Sequence, residues 1–266
     1  MDAERFEVDG IAGERRDGRG TPVVLLHAGV ADRRGWHGVM PRLDAPVVAY
    51  DRRGFGETPP GGESFSHLGD LWTVLDATVD GPVWLVGNSK GGSLALDAAL
   101  ERPERVAGVV LIAAGVSGAP YAELDPGDPV SDAFDARFDA AAGDLGQTLR
   151  LDTWLWLDGP AQPEGRVGGA ARELARDMNR RALAHGLPED AGAPGVDAWS
   201  RLEEVRVPVT FVACELDVPL LATVHRAAAA RIPGARVREL SGVAHLPALE
   251  DPAAVAAVIA EATAAG

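Results

Sequence analysis

The stretch WLVGNSKGGS, residues 84–93 of a 266-residue chain, constrains the fold more than any other part of the sequence. The apolar run PVWLV ends in Gly87-Asn88-Ser89-Lys90-Gly91, and the helical pattern GGSLALDAALE follows at once. A serine between glycines in so sharp a turn adopts a strained backbone that only small neighbours permit, and the strain lifts its hydroxyl clear of the sheet edge. Three fixed residues alone would also fit an ordinary turn with a capping serine. The strand before them and the helix after them favour a nucleophile elbow at Ser89.

A serine hydroxyl is a weak nucleophile until a base takes its proton, so Ser89 requires a histidine and an acid to orient it. The run VPVTFVA leads into Cys214-Glu215-Leu216-Asp217, which puts carboxylates at the end of a buried strand. Asp217 is the preferred acid because the Val-Pro after it starts a turn there, with Glu215 as its rival. After VREL comes SGVAHLPALE, which places His245 on a loop before the last helix as the candidate base. A tetrahedral intermediate also needs two N–H donors. Lys90, at the helix start, supplies one and Gly29 is the candidate for the other, ahead of Val30. His27, at the end of PVVLLH, is expected to shape that loop through hydrogen bonds. His37, His67, His185 and His225 read as surface or packing residues. A cation at position 90 opposes the helix dipole, so an acidic neighbour from the inserted segment or a nearby loop is expected to compensate it.

Apolar β-branched runs alternate with Ala- and Leu-rich segments, the pattern of an α/β fold whose mostly parallel sheet carries helices on both faces. Strands are predicted at 5–8, 10–15, 22–27, 47–50, 83–86, 106–113, 207–212 and 236–240. Helices are predicted at 35–42, 66–79, 91–101, 220–230 and 252–263. Between Val116 and Leu202 the strand rhythm gives way to acidic, Gly- and Pro-punctuated helical sequence, too long for a structureless loop. The expected organisation is a core made of residues 1–116 and 203–266, with a helical lid inserted at 117–202. His27, Val30, Trp154 and Trp156 are candidate walls of a substrate pocket, and the two tryptophans are equally candidates for the lid's own core. Asp132, Asp135 and Asp139 share helical spacing, but without a Ca-loop pattern they read as a solvated face.

The formal charge of −15 opposes binding to nucleic acid, which needs clustered Lys and Arg, and serves solubility. One cysteine, Cys214, precludes an internal disulfide, and the scattered histidines form no metal-binding pattern. No metal or cofactor is expected, nor a membrane span, and the acidic N-terminus lacks a signal-peptide pattern, so the cytoplasm is the expected compartment.

Several motifs in order give the chain its resemblance to the α/β-hydrolase superfamily. VVLLHAG resembles the family's oxyanion strand-loop, YDRRGFGET its D-x-R-G-x-G-x-S segment, and residues 87–91 its elbow. Residues 214–217 resemble its G-x-x-D acid turn and residues 242–245 its G-x-x-H turn. Ala28, Thr58 and Cys214 depart from the usual glycine, serine and glycine. The chain looks most like small bacterial esterases and 3-oxoadipate enol-lactonase-like serine hydrolases. The resemblance implies hydrolysis of a small to medium, partly apolar ester or lactone through an acyl-enzyme. C–C bond hydrolases, thioesterases and perhydrolases share the triad and are alternatives; a non-catalytic binding protein on this fold is the rival of another class. Dehalogenases and epoxide hydrolases need an aspartate where Ser89 stands. A homodimer is left open.

Overall fold

The computed structural model describes residues 3–61, 65–125, 134, 137–187, 191–192 and 195–264. The strands are β1 (Glu4–Val8), β2 (Ile11–Arg16), β3 (Val23–Leu26), β4 (Val47–Tyr50), β5 (Val83–Asn88), β6 (Val106–Ile112), β7 (Val209–Cys214) and β8 (Arg236–Leu240). They form one sheet in the order β1-β2-β4-β3-β5-β6-β7-β8. The β1–β2 hairpin and the β2–β4 pair are antiparallel, and all later pairs are parallel. The chain reverses direction across the sheet after β3, so β3 and β5 lie side by side at its centre, where their C-terminal ends open a crevice.

The period-two alternation of the strands divides the core. Val24, Leu26, Leu85 and Leu111 face α1 (His67–Thr78), α2 (Lys90–Glu101) and α5 (Pro219–Ala229) through Leu71, Leu75, Leu96 and Val224. Val23, Leu25, Val86 and Ile112 point the other way, onto Trp36, Val255 and Ile259 of the opposite layer, which includes α6 (Pro252–Ala264). Residues buried on both faces explain why these strands read as continuous apolar runs. The outermost β8 keeps only Leu240 buried and presents Arg236, Arg238 and Glu239 to solvent, the charged edge that discourages strand addition.

Local chemistry explains where the boundaries fall. Ser66 caps α1 by accepting from Gly69 N at 3.3 Å. β7 starts only after Pro208, which has no N–H for the ladder. The helix expected over 35–42 is replaced by two short 3₁₀ turns, Arg33–Trp36 and Met40–Arg42. Asp32 caps the first by accepting from Arg34 N at 3.0 Å, while Gly38 and Pro41 interrupt any longer run.

Helical structure is inserted between β6 and β7. It includes a single turn at Tyr121–Leu124, α3 (Leu145–Thr153) and α4 (Gly169–His185), and a 3₁₀ segment, Trp199–Glu204, leads back towards β7. Asp144 caps α3 by accepting from Gln147 N at 3.0 Å, and the helix widens into a π turn over Trp154–Asp158. Among the candidate acidic face, Asp132 and Asp135 lie outside the described residues. No helix among the described residues is long and apolar enough to cross a membrane.

Helix α2 packs so closely on the sheet that glycine is required at two positions. A Cβ on Gly87 would lie 2.2 Å from the Gly91 carbonyl carbon, and one on Gly91 would lie 2.3 Å from the Leu26 carbonyl oxygen. Both obstacles are backbone and cannot rotate away. Gly91→Ala is therefore expected to lower stability by about 3 kcal/mol or more in urea unfolding. Gly69→Ala in α1, where the nearest atom is Ser66 Cβ at 3.7 Å, should be neutral or stabilising by up to about 1 kcal/mol. Equal losses from both would contradict this packing.

Candidate active site

Ser89 stands between β5 and α2 with φ 55° and ψ −120°, a left-handed conformation that costs a non-glycine residue on the order of 1–3 kcal/mol. Its N–H donates to Ile112 O at 2.9 Å, tying the elbow to the end of β6. Lys90 is the first residue of α2, where a helix leaves its N–H groups without intrahelical acceptors. The positive end of the helix dipole therefore points at the space before Ser89.

The histidine loop docks beside the serine through a residue that sequence reasoning passed over. Asn88 is buried, and its Nδ2 donates both to Ile112 O at 3.1 Å and to the carbonyl of His245 at 3.0 Å. The amide thus fastens the candidate base to the strand that carries the candidate nucleophile. His245 Nδ1 lies 2.8 Å from Asp217 Oδ2, both residues being buried. A carboxylate on Nδ1 leaves Nε2 free to act as a base and stabilises the imidazolium that forms. Asp217 is itself held by the Val218 N–H, which donates to Oδ1 at 2.7 Å. Its rival Glu215 is exposed and accepts from Gly242 N at 2.8 Å, so it shapes the histidine loop without touching the imidazole.

Arg166 straps the inserted segment to the same loop. Its guanidinium donates to the carbonyls of Leu157, Asp158 and Gly242 and pairs with Glu250, whose other oxygen accepts from Ala244 N at 2.7 Å. The Trp156 ring lies 4.4 Å from the His245 ring, centre to centre. Trp154 is turned away into the insertion, edge-on to Phe134, with its Nε1 donating to Gln162 O at 3.0 Å. Two positions apart on one helical turn, the tryptophans point to different sides.

Gly29, Val30 and Lys90 line a cavity of about 630 Å³ that continues along α2 to Ser93 and Asp97 and reaches Tyr121, Asp152 and Asn179. The side chain of Lys90 runs over Gly29, close enough that a Cβ there would lie 3.1 Å from Lys90 Cδ. Val30 lies on the wall of this cavity; His27, Trp154 and Trp156 do not. His27 is buried behind the loop, with Nδ1 2.7 Å from Ala28 O and Nε2 accepting from Arg52 N at 3.0 Å. Burial, and then the charge of Arg52, hold its pKa well below the ordinary histidine value. Asp51 binds the loop from another side, accepting from Arg33 N and Glu57 N, each at 2.8 Å, and pairing with the Arg33 guanidinium. Burial raises the Asp51 carboxyl to about 6 despite these partners.

Two of the remaining histidines, His225 and His37, hold structure. His225 is fully buried, and its Nε2 meets the N–H and carbonyl of Ala114 at 3.1 and 2.8 Å. His37 pairs with Glu14 at 2.8 Å on the surface. Cys214 is buried, and burial pushes its thiol well above the usual range, which disfavours the reactive thiolate. No cluster of three or more His, Cys, Asp or Glu that could hold a metal ion occurs among the described residues.

The sequence model of the alpha/beta hydrolase family matches residues 23–258. Pimeloyl-[acyl-carrier protein] methyl ester esterase of Neisseria meningitidis serogroup C is 29% identical over 241 residues, which cover 89% of this chain and 91% of the relative. 2-Hydroxy-6-oxo-2,4-heptadienoate hydrolase of Pseudomonas putida is 44% identical over 110 residues, covering 38% of this chain and 40% of the relative. Among solved structures, the enol-lactonase of Burkholderia xenovorans superposes with a TM-score of 0.73 at 18% identity, covering 98% of this chain and 100% of its own. Est816, described as an N-acyl homoserine lactone degrading enzyme, has a TM-score of 0.70 at 24% identity and covers 97% and 99%. At these identities the superpositions establish the fold.

Within the cavity, Asp97 is 1% exposed and accepts from Ser117 Oγ at 2.6 Å, and burial pushes its carboxyl up to about 7. Between its ordinary value of 3.8 and 7 the folded protein holds a proton that the unfolded chain releases. Its contribution to stability is therefore greatest at acid pH, is lost as pH rises through that window and is flat above it. Asp97→Asn keeps an acceptor for Ser117 and removes the charge. Urea unfolding from pH 4 to 8 should show the variant gaining on wild type across the window, on the order of a few kcal/mol by pH 8. Parallel pH curves would contradict a buried, raised Asp97.

Proposed function

The chain belongs to the alpha/beta hydrolase family, and from that premise we propose that it is a serine hydrolase cleaving a carboxylic ester or lactone of a small, partly apolar molecule. The observation that carries the reading is Ser89 on a strained elbow beside a His245 whose Nδ1 is bound to Asp217. His245 Nε2 takes the proton of Ser89 Oγ as the oxygen attacks the carbonyl carbon. The N–H groups of Lys90 and Gly29 receive the oxyanion, and the imidazolium returns its proton to the leaving alkoxide. Water, deprotonated by the same histidine, then releases the acid. Asp217 holds the histidine tautomer and stabilises its cation in both halves of the reaction. These steps call on the chain's own residues and water.

Residues 117–202 act as the lid in this reading, and residues 1–116 with 203–266 as the catalytic core. Val30 and the cavity along α2 receive part of the substrate, while Trp156 covers His245 and screens it from water. The reading draws on relatives named as an esterase and, in the solved structures, as lactone-cleaving enzymes. A second reading, hydrolysis of a C–C bond next to a ketone, is favoured by the 44% identity to the Pseudomonas putida hydrolase over 110 residues.

Activity-based labelling with a fluorophosphonate and a panel of aryl esters, lactones, thioesters and vinylogous 1,5-diketones tests both. Wild type should label and turn over an ester or lactone. Ser89→Ala should abolish labelling, and His245→Ala and Asp217→Asn should lower kcat by about 10³-fold or more. Labelling independent of Ser89, or full ester turnover by His245→Ala, would overturn the assignment. Turnover of the diketones alone would select the second reading.

A further inference from the structure

The mechanism leaves one buried cation unused. Arg52 is 3% exposed, and burial lowers its pKa to about 10. Its Nη2 donates to the carbonyls of His27 and Ala28 at 3.1 and 3.3 Å, and its guanidinium carbon lies 4.7 Å from the centre of the Phe55 ring. Neighbouring arginines are neutralised: Arg33 by Asp51, Glu14 and Glu57, and Arg53 by Asp70 and Asp9. Among the described residues no carboxylate pairs with Arg52, and its Nε is buried without an acceptor. A buried guanidinium without a counter-charge is expensive to maintain.

Arg52 lies on the wall of the cavity that contains Gly29 and Lys90. His67 shares that wall, with its Nδ1 buried and unpartnered. Burial and the positive charges of Arg52 and Lys90 hold its pKa down to about 3, so it remains neutral and adds a hydrogen-bonding ring to this end of the cavity. Asp97 and Asp152 lie elsewhere on the wall, Asp97 about two turns along α2 from Lys90, and burial raises both carboxyls. An anion in the cavity is therefore attracted to the Arg52 end.

We propose that Arg52 receives a carboxylate of the substrate, so that the enzyme selects esters or lactones bearing a free carboxylate on the portion that fills the cavity. A planar guanidinium on the cavity wall, without a carboxylate partner among the described residues, matches a carboxylate in charge and geometry. The proposal rests on the serine-hydrolase reading and adds the substrate class. Because a carboxylate contact exists in both the bound substrate and the transition state, its loss falls mainly on KM.

Two matched pairs of esters test it on either side of the scissile bond. One pair is mono(4-nitrophenyl) glutarate and 4-nitrophenyl valerate; the other is the butyrate ester of 3-hydroxybenzoate and phenyl butyrate. Wild type should favour the carboxylate member of at least one pair by about tenfold or more in kcat/KM. In Arg52→Gln that ratio should collapse towards one, whatever loss the two members share, with the change in KM; Arg52→Lys should restore part of it. No preference in either pair, or a preference that survives in Arg52→Gln, overturns the proposal. Should Arg52→Gln not fold, inhibition of wild type by valerate and by valeramide decides: stronger inhibition by valerate supports the contact, and equal inhibition overturns it. Ser89-dependent cleavage of the neutral members tests the underlying hydrolase reading separately, and its absence would overturn that reading alone.

Discussion

The close approach of α2 to the sheet at Gly87 and Gly91 is the constraint on which the site depends. With a Cβ at either position, the helix would have to move away from β3 and β5, because only backbone atoms stand in the way. That proximity forces a turn with no room for regular geometry, and Ser89 takes up the difference in its positive φ. It also aims the N-terminus of α2 at the crevice where β3 and β5 end. One packing constraint thus exposes a hydroxyl and supplies an oriented N–H donor beside it, with no reorganisation required during a reaction.

Everything else in the site is fastened to that elbow by polar contacts from loops. Asn88 holds the histidine loop, Asp217 holds the imidazole, and Glu215 and Glu250 hold the backbone on either side of it. The loop after β3 is pinned from behind by His27, Asp51 and the arginines around them. Arg34 carries the chain of contacts into the insertion, pairing with Asp32 below and with Asp177 of α4 at 2.8 Å. Arg166 does the same at the histidine side. The insertion is consequently bolted to the loop after β3 and to the histidine loop by buried or half-buried charges, which cost desolvation and return fixed geometry only while every partner is present.

The sequence was most legible where backbone physics leaves few choices. The elbow, the apolar strands and the acid and histidine loops at strand ends all announce themselves through glycine placement and burial on both sheet faces. Asn88 was not legible, because its role comes from a carbonyl 157 residues away that no local pattern indicates. The 35–42 segment had helical composition, yet Asp32 started the first 3₁₀ turn early and Pro41, at the start of the second, kept the two from joining into one helix. Trp154 and Trp156 read alike by composition, and only the packing of the insertion separates them, one edge-on to Phe134 and the other beside His245. Arg52 looked like part of a motif, and only the absence of a carboxylate around its buried guanidinium, among the described residues, set it apart from Arg33 and Arg53.

The central claim is that Ser89 carries the acyl group. Rapid acid quenching during turnover of a slowly deacylating aryl ester, followed by intact-mass measurement and peptide mapping, tests it directly. The account predicts a stoichiometric acyl adduct on the peptide containing Ser89, formed with a burst of phenol and lost at the steady-state rate. Turnover with no adduct at Ser89, or with the adduct on another residue, would contradict it.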